Sequence, residues 1–154
     1  MPDADLPHAA FLRPLLDVMA ERLGGAVILH AAPSGRILMV AGEVPGLEIH
    51  DPIGARPDNY ADRFQVFAQD GSLARVEDLP VVRAMASGEA ITDEVWLLSG
   101  AAGPVPVFVD SYPLKDDSGA VIGVIAAATD PKRWSNRAER LKHTISIRDG
   151  FARG

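Results

Sequence analysis

Few side chains in this 154-residue chain have types or spacings that suggest chemistry, and cysteine is absent altogether. That removes disulfides, thiolate zinc sites and thiol nucleophiles together. The four histidines are His8, His30, His50 and His143. They fall on a helix start, a strand, a loop and the tail, and each reads as a solvated or hydrogen-bonded imidazole. His30 is the candidate to watch, because a strand side chain can face an interior pocket. Adjacent acids occur at Glu77-Asp78, Asp93-Glu94 and Asp116-Asp117. Neighbours along a strand point to opposite faces, so such pairs make poor acid–base dyads, and turn and cap chemistry explains them better. Ser99-Gly100-Ala101-Ala102-Gly103 has the small residues of a phosphate loop but lacks the Lys-Ser/Thr and the helix that must follow. Neither Gly-x-Ser-x-Gly nor His-Glu-x-x-His occurs. No catalytic residue and no metal site is therefore expected, and the chain does not read as an enzyme.

Composition sets the frame for these residues. Hydrophobic residues make up 47% and charged residues 23%, ordinary values for one globular domain. The longest apolar run, near residues 120–128, falls far short of the roughly 20 residues of a membrane span. The acidic start, Met1-Pro2-Asp3-Ala4-Asp5, lacks the basic region of a signal peptide. A cytoplasmic protein without membrane contact is expected. Twelve arginines against three lysines read as a bacterial coding bias. The net charge of −6 is divided unevenly: residues 1–129 carry −10 and residues 130–154 carry +4. An acidic body is a poor surface for duplex DNA, so nucleic acid is not an expected partner.

The elements that must position these residues follow from periodicity and breakers. Residues 7–23 predict a helix, with Phe11, Leu15, Met19 and Leu23 four apart and Leu12 and Leu16 beside them. Pro14 should kink or restart it, and Gly24-Gly25 should end it. Two β runs, 26–31 and 36–41, flank the turn Ala32-Pro33-Ser34-Gly35. The middle is rich in Gly, Pro and Asp, with a helical turn near 58–64. A second helix is expected over 77–87, stopped by Gly88. Three strands follow, near 91–98, 105–114 and 120–129, with turns at 99–104 and 115–119. A third helix is expected over 131–148. Asp130 would cap it, and Trp134, Ala138, Leu141 and Ile145 would form a seam about two heptads long. The class is α+β, a five-stranded antiparallel sheet covered by helices. The expected parts are an N-terminal flanking helix (1–24), a sheet domain (25–130) and a C-terminal helix or linker (131–154).

Two stretches carry a family resemblance. Phe67 to Glu89 contains Asp70-Gly71, Leu79-Pro80, Ala84 and Gly88-Glu89. Ser111 to Val124 contains Pro113-Leu114, the acidic turn Asp116-Asp117-Ser118-Gly119, and Gly123. In this order and layout they resemble a PAS sensor domain of bacterial signalling proteins, over roughly residues 25–130. The resemblance implies a five-stranded antiparallel sheet with helices on one face. Such domains hold a small ligand or cofactor between sheet and helices, or serve as dimerising interaction modules. An effector such as a histidine kinase, or a partner protein, would then read the signal. Asp130 matches the Asp of the Asp-x-Thr that usually closes such domains, but Pro131 and Lys132 follow it. The coupling role of Asp130 is thus in doubt, and it can serve as a helix cap alone. A flavin photosensor of the light-oxygen-voltage class needs a Cys to bond the flavin, so a covalent adduct is excluded. Haem-binding members often use a His on the helix before the third strand, and residues 77–87 contain none. The cofactor stays unknown. The alternatives are a related small-molecule-binding domain of GAF type, or a stand-alone adaptor without a ligand.

Alternation along the strands predicts which residues meet. With Val107, Val109 and Ser111 facing the helices, Phe108, Asp110 and Tyr112 face away. On the preceding strand Val95 and Leu97 are expected inward, and Trp96 and Leu98 outward. A pocket for a small apolar ligand would then be lined by Leu29 or Ile28, Phe64, Val82, Met85, Val95, Leu97, Val109 and Ile125 or Val124; a plain packed core explains the same residues. The outer face would present Trp96, Leu98, Phe108 and Tyr112, a patch that a monomer seldom leaves bare. Either the N-terminal helix covers it with Leu12, Leu15, Leu16 and Met19, or the same residues build a homodimer, or both hold together.

Overall fold

The computed structural model describes residues 2–6, 9–47 and 52–131. The elements are helix α1 (Ala9–Leu23), strands β1 (Gly25–Ala31) and β2 (Ile37–Gly42), helix α2 (Pro57–Phe64) and the short strand β3 (Val66–Phe67). A 3-10 turn (Val76–Asp78), helix α3 (Pro80–Ser87), and strands β4 (Ile91–Gly100), β5 (Gly103–Lys115) and β6 (Val121–Thr129) follow. The sheet has six strands in the order β2-β1-β6-β5-β4-β3, and every pairing is antiparallel. The expected class holds, but the strand count of five does not. The sixth, β3, pairs only two residues with β4 and lacks an alternating pattern long enough to announce a strand. The expected helix over 131–148, with Trp134, Ala138, Leu141 and Ile145, lies outside the described residues, as do His8, His50 and His143.

Two apolar layers form on opposite faces of the sheet. On one face, Leu12, Leu16, Ala20 and Leu23 of α1 pack against Val27, Leu29, Ala41, Leu114, Ile125 and Ala127. Leu16 and Leu23 are completely buried, whereas Phe11 is 64% exposed. The buried stripe is therefore turned by one residue from the one expected, with Leu15 and Met19 at its margin. Pro14 neither breaks nor restarts α1. It sits in the second turn, where the missing N–H costs one intrahelical bond. Gly24 leaves the helix with φ +66°, as a left-handed stop requires.

The opposite face carries the larger layer, built from Ala26, Val44, Val66, Leu79, Val81, Trp96, Val107 and Val124 among others. Helix α3 closes it, with Leu79, Pro80, Val81 and Ala84 buried. The single helix expected over 77–87 is instead a 3-10 turn and α3 separated by Leu79. Leu79 precedes Pro80 and is held extended at ψ 136°, because a residue before proline is excluded from the helical region. Close strand approach also shapes one end of the sheet. A Cβ on Gly25 would collide with the carbonyl oxygen of Ala128.

The layer under α1 leads to a direct expectation. Leu16→Ala removes a fully buried side chain between helix and sheet, and should cost about 2–5 kcal/mol. The denaturant midpoint checks it; a shift worth under about 1 kcal/mol would mean that α1 does not hold this face.

Candidate functional site

Between the inner face of the sheet and helices α2 and α3 lies a cavity of about 440 Å³. Its origin is local. On the inner face β6 presents Ala126 and Ala128, and β1 presents Ala26 opposite Ala128. These methyl groups are too small to reach the helical layer. Larger residues form the walls: Ile28, Ile37 and Val40 on one side, Trp96, Leu98 and Val109 on the other, with Phe64, Leu79 and Val81 across.

The polar groups in this lining are few. His30 is 3% exposed, and its Nδ1 lies 3.0 Å from the carbonyl oxygen of Gly35. A carbonyl only accepts, so Nδ1 carries the proton and donates. Burial pushes the imidazole down to about 4, only partly opposed by that hydrogen bond, so His30 is neutral at pH 7. Ser111 is fully buried, and its Oγ has no hydrogen-bond partner among the described residues. Trp96 donates from Nε1 to Glu94 Oε1 at 3.1 Å, and Glu94 in turn pairs with Arg83 of α3. The indole is thus tethered at the cavity wall. Glu43 lies at the margin and is exposed.

The expected site residues fare unequally. Phe64 and Val109 line the cavity. Val82 and Met85 pack against the same core without lining it. Ile125 belongs to the other face, under α1. Val95 and Leu97 are corrected to the outer face, and Trp96 and Leu98 to the inner. Directly opposed residues share a face, and Trp96 is opposite Val107 while Leu98 is opposite Val105. The proposed outer patch therefore loses both its tryptophan and its leucine. Phe108 and Tyr112 do face outward; Phe108 is half-buried and Tyr112 buried. Leu12 and Leu16 are buried and Leu15 and Met19 half-buried, so α1 covers β1, β2 and β6 instead of the patch expected on β4 and β5. Asp130 directly follows β6 and is half-buried; the helix it would cap lies beyond the described residues.

Two polar features escaped sequence reasoning. Asp3 accepts from the Ser34 amide at 3.0 Å and from the Ser34 hydroxyl at 2.8 Å, pinning the N-terminal segment to the β1–β2 turn. Asp110, on the outer face of β5, is fully buried and accepts from the Asp93 amide at 2.8 Å. Asp93 stands at φ +66° in the irregularity between Ile91 and Glu94. Strand alternation placed Asp110 outward, but nothing in the sequence marked that side as dry.

No family model matches the chain, and no curated protein matches it either. Solved structures do match in fold. The light-oxygen-voltage protein of Rhodobacter sphaeroides aligns with 97% of this chain and 93% of its own, at TM-score 0.58 and 15% identity. An RNA-binding light-oxygen-voltage receptor aligns with all of this chain at TM-score 0.53 and 17% identity, and the chain spans 42% of that receptor's length. The inducer-binding domain of the PobR transcription factor from Acinetobacter, a double mutant complexed with 3-hydroxybenzoic acid, aligns with 97% of this chain and 96% of its own, at TM-score 0.51 and 12% identity. The chain is a PAS-like domain in fold.

Flavin is the group these neighbours raise, and the cavity can be tested against it. The ring edge of a flavin alternates donors and acceptors, and its nucleotide tail carries phosphate. Among the described lining residues there is no Asn, Gln, Lys or Arg, and no cysteine exists to bond the ring. These residues do not fit a flavin.

The buried carboxyl gives a pH expectation. Burial raises Asp110 to about 7. Between about pH 4 and 7 the unfolded chain has lost this proton while the folded chain keeps it, so stability falls as pH rises through that window. Asp110→Asn keeps an acceptor for the Asp93 amide and removes the titration. It should flatten the pH dependence of the melting temperature between pH 4 and 7 and raise it at pH 8. An unchanged slope would show that Asp110 ionises freely in the folded chain.

Proposed function

We propose that this chain is a sensory domain that binds a small, largely apolar molecule in the cavity and passes its occupancy to an effector, such as a histidine kinase or a partner protein. It binds without catalysing a reaction. The cavity carries this reading: about 440 Å³, mostly apolar, with isolated polar groups in its lining, matches the character of small-molecule sites. The packed-core alternative requires the space over Ala126 and Ala128 to be filled. The fold likeness to a PobR domain solved with 3-hydroxybenzoic acid supports a small organic ligand. Among the described residues no three of His, Cys, Asp and Glu gather as a metal site. No helix among those residues is long and apolar enough to cross a membrane.

Native mass spectrometry with an absorbance spectrum tests the ligand reading. Protein purified without denaturation is expected to carry an organic molecule, or to bind a neutral aromatic probe such as 2-naphthol. Ala126→Leu fills the cavity floor and should weaken probe binding roughly tenfold or more while the chain stays folded. An empty protein that ignores the probe would sink the reading.

A homodimer through α1 belongs to the same proposal. Phe11 and Val18, seven residues apart on that helix, are 64% and 45% exposed. Replacing both with Glu should turn a dimer into a monomer by light scattering. A wild-type chain already monomeric at tens of micromolar would remove the dimer from the proposal.

A further inference from the structure

Ser111 turns the cavity from a general apolar space into one with a chemical preference. Its residue is completely buried, its Oγ reaches no hydrogen-bond partner among the described residues, and it lines the cavity. A buried hydroxyl without a partner is unfavourable, and protein interiors rarely keep one. A ligand that supplies the missing bond removes that cost at the moment of binding. The hydroxyl can donate or accept, so a ligand hydroxyl, carbonyl or ether would satisfy it.

Charge sets the other limit. No lysine or arginine is among the described lining residues. The lining groups that can titrate are His30, which is neutral because it is buried, and the exposed Glu43. Arg83 of α3 is paired with Glu94, the carboxylate that also holds the Trp96 indole. A carboxylate entering this space would lose its hydration with no counter-charge to meet it. The acidic body, −10 over residues 1–129, opposes its approach as well.

We propose that the cavity selects neutral, largely apolar small molecules bearing one hydrogen-bonding group that meets Ser111, and discriminates against carboxylates and phosphates. This inference rests on the reading of the cavity as a ligand site. It separates this chain from the PobR domain that was solved with a hydroxybenzoic acid.

The test uses three probes of one ring skeleton on the full chain at pH 7: 2-naphthol, naphthalene and 2-naphthoate. Binding is measured by calorimetry or by probe fluorescence. The naphthol is expected to bind roughly threefold to tenfold tighter than naphthalene, the worth of one neutral hydrogen bond. Naphthoate is expected to bind at least roughly tenfold more weakly than naphthol. Ser111→Ala should erase the preference for naphthol over naphthalene and leave naphthalene binding intact, which also shows that the variant is folded. Naphthoate binding as tightly as naphthol overturns the proposed class while leaving the cavity a binding site. A naphthol preference that survives Ser111→Ala overturns the role of Ser111. Failure of all three probes to bind overturns the cavity reading and this inference together.

Discussion

The arrangement depends on the small side chains of β6. This strand lies between β1 and β5 near the middle of the sheet, and Ala126, Ala127 and Ala128 run along it in succession. A strand alternates its faces, so Ala126 and Ala128 open toward α2 and α3 while Ala127 lies under α1. The two faces use their small residues differently. Under α1 the neighbours Leu29, Leu114 and Ile125 are large, and Leu16 and Leu23 descend from the helix to fill the layer. On the other face Ala128 lies between Ala26 and Val109, and Ala126 between Ile28 and Ser111; among the described residues space remains between β6 and the helices. The same strand thus makes one face a packed layer and the other a hollow one. Larger side chains at Ala126 and Ala128 would reduce this volume of about 440 Å³ from its floor.

Much of this was legible in the sequence, and the misses have definite causes. The hairpins, the turn glycines and the inward side of β5 were readable because each rests on local chemistry or on alternation within one strand. The inward side of β4 is encoded only jointly with β5. Closing the hairpin symmetrically over the gap 99–104 sets Leu98 opposite Val105, which is the observed register. That pairing forces Trp96 and Leu98 inward with Val105 and Val107. Treating the two strands separately left each free to choose a phase, and a slip of one residue exchanges the faces completely. The α1 stripe failed for a related reason. Phe11, Leu15 and Met19 and the series Leu12, Leu16 and Ala20 both satisfy helical spacing, and only the docking on the sheet separates them. Ser111 was placed inward correctly, but whether a buried hydroxyl finds a partner depends on the whole fold.

Neighbouring residues on β5 show how one strand serves two environments. Asp110 and Ser111 are both completely buried, on opposite faces. Asp110 is engaged by the amide of Asp93, supplied by the irregularity in β4 at Ile91–Glu94. Bulged residues drop out of the ladder and free their amides for other partners, so this distortion supplies a structural acceptor with its donor. Ser111 has no such provision from β4, because Ile91, its partner across the pair, is apolar and keeps only backbone groups there. The polar group on the outer face is therefore committed to the fold, and the one on the inner face is the group that the proposed ligand would meet.

That division bears on how far a shared fold predicts chemistry. The light-oxygen-voltage proteins and the PobR domain share this architecture at 12–17% identity, a level at which the backbone persists while side chains turn over. A fold supplies a sheet, a set of covering helices and a space between them; the lining decides what the space accepts. In this chain the lining offers no thiol and, among its described members, no amide side chain and no cation. The described members supply apolar surface, a neutral imidazole held by Gly35, the Ser111 hydroxyl and, at the margin, the exposed Glu43. The proposed preference for neutral ligands rests on that lining, and the shared fold adds only the place of the space between sheet and helices.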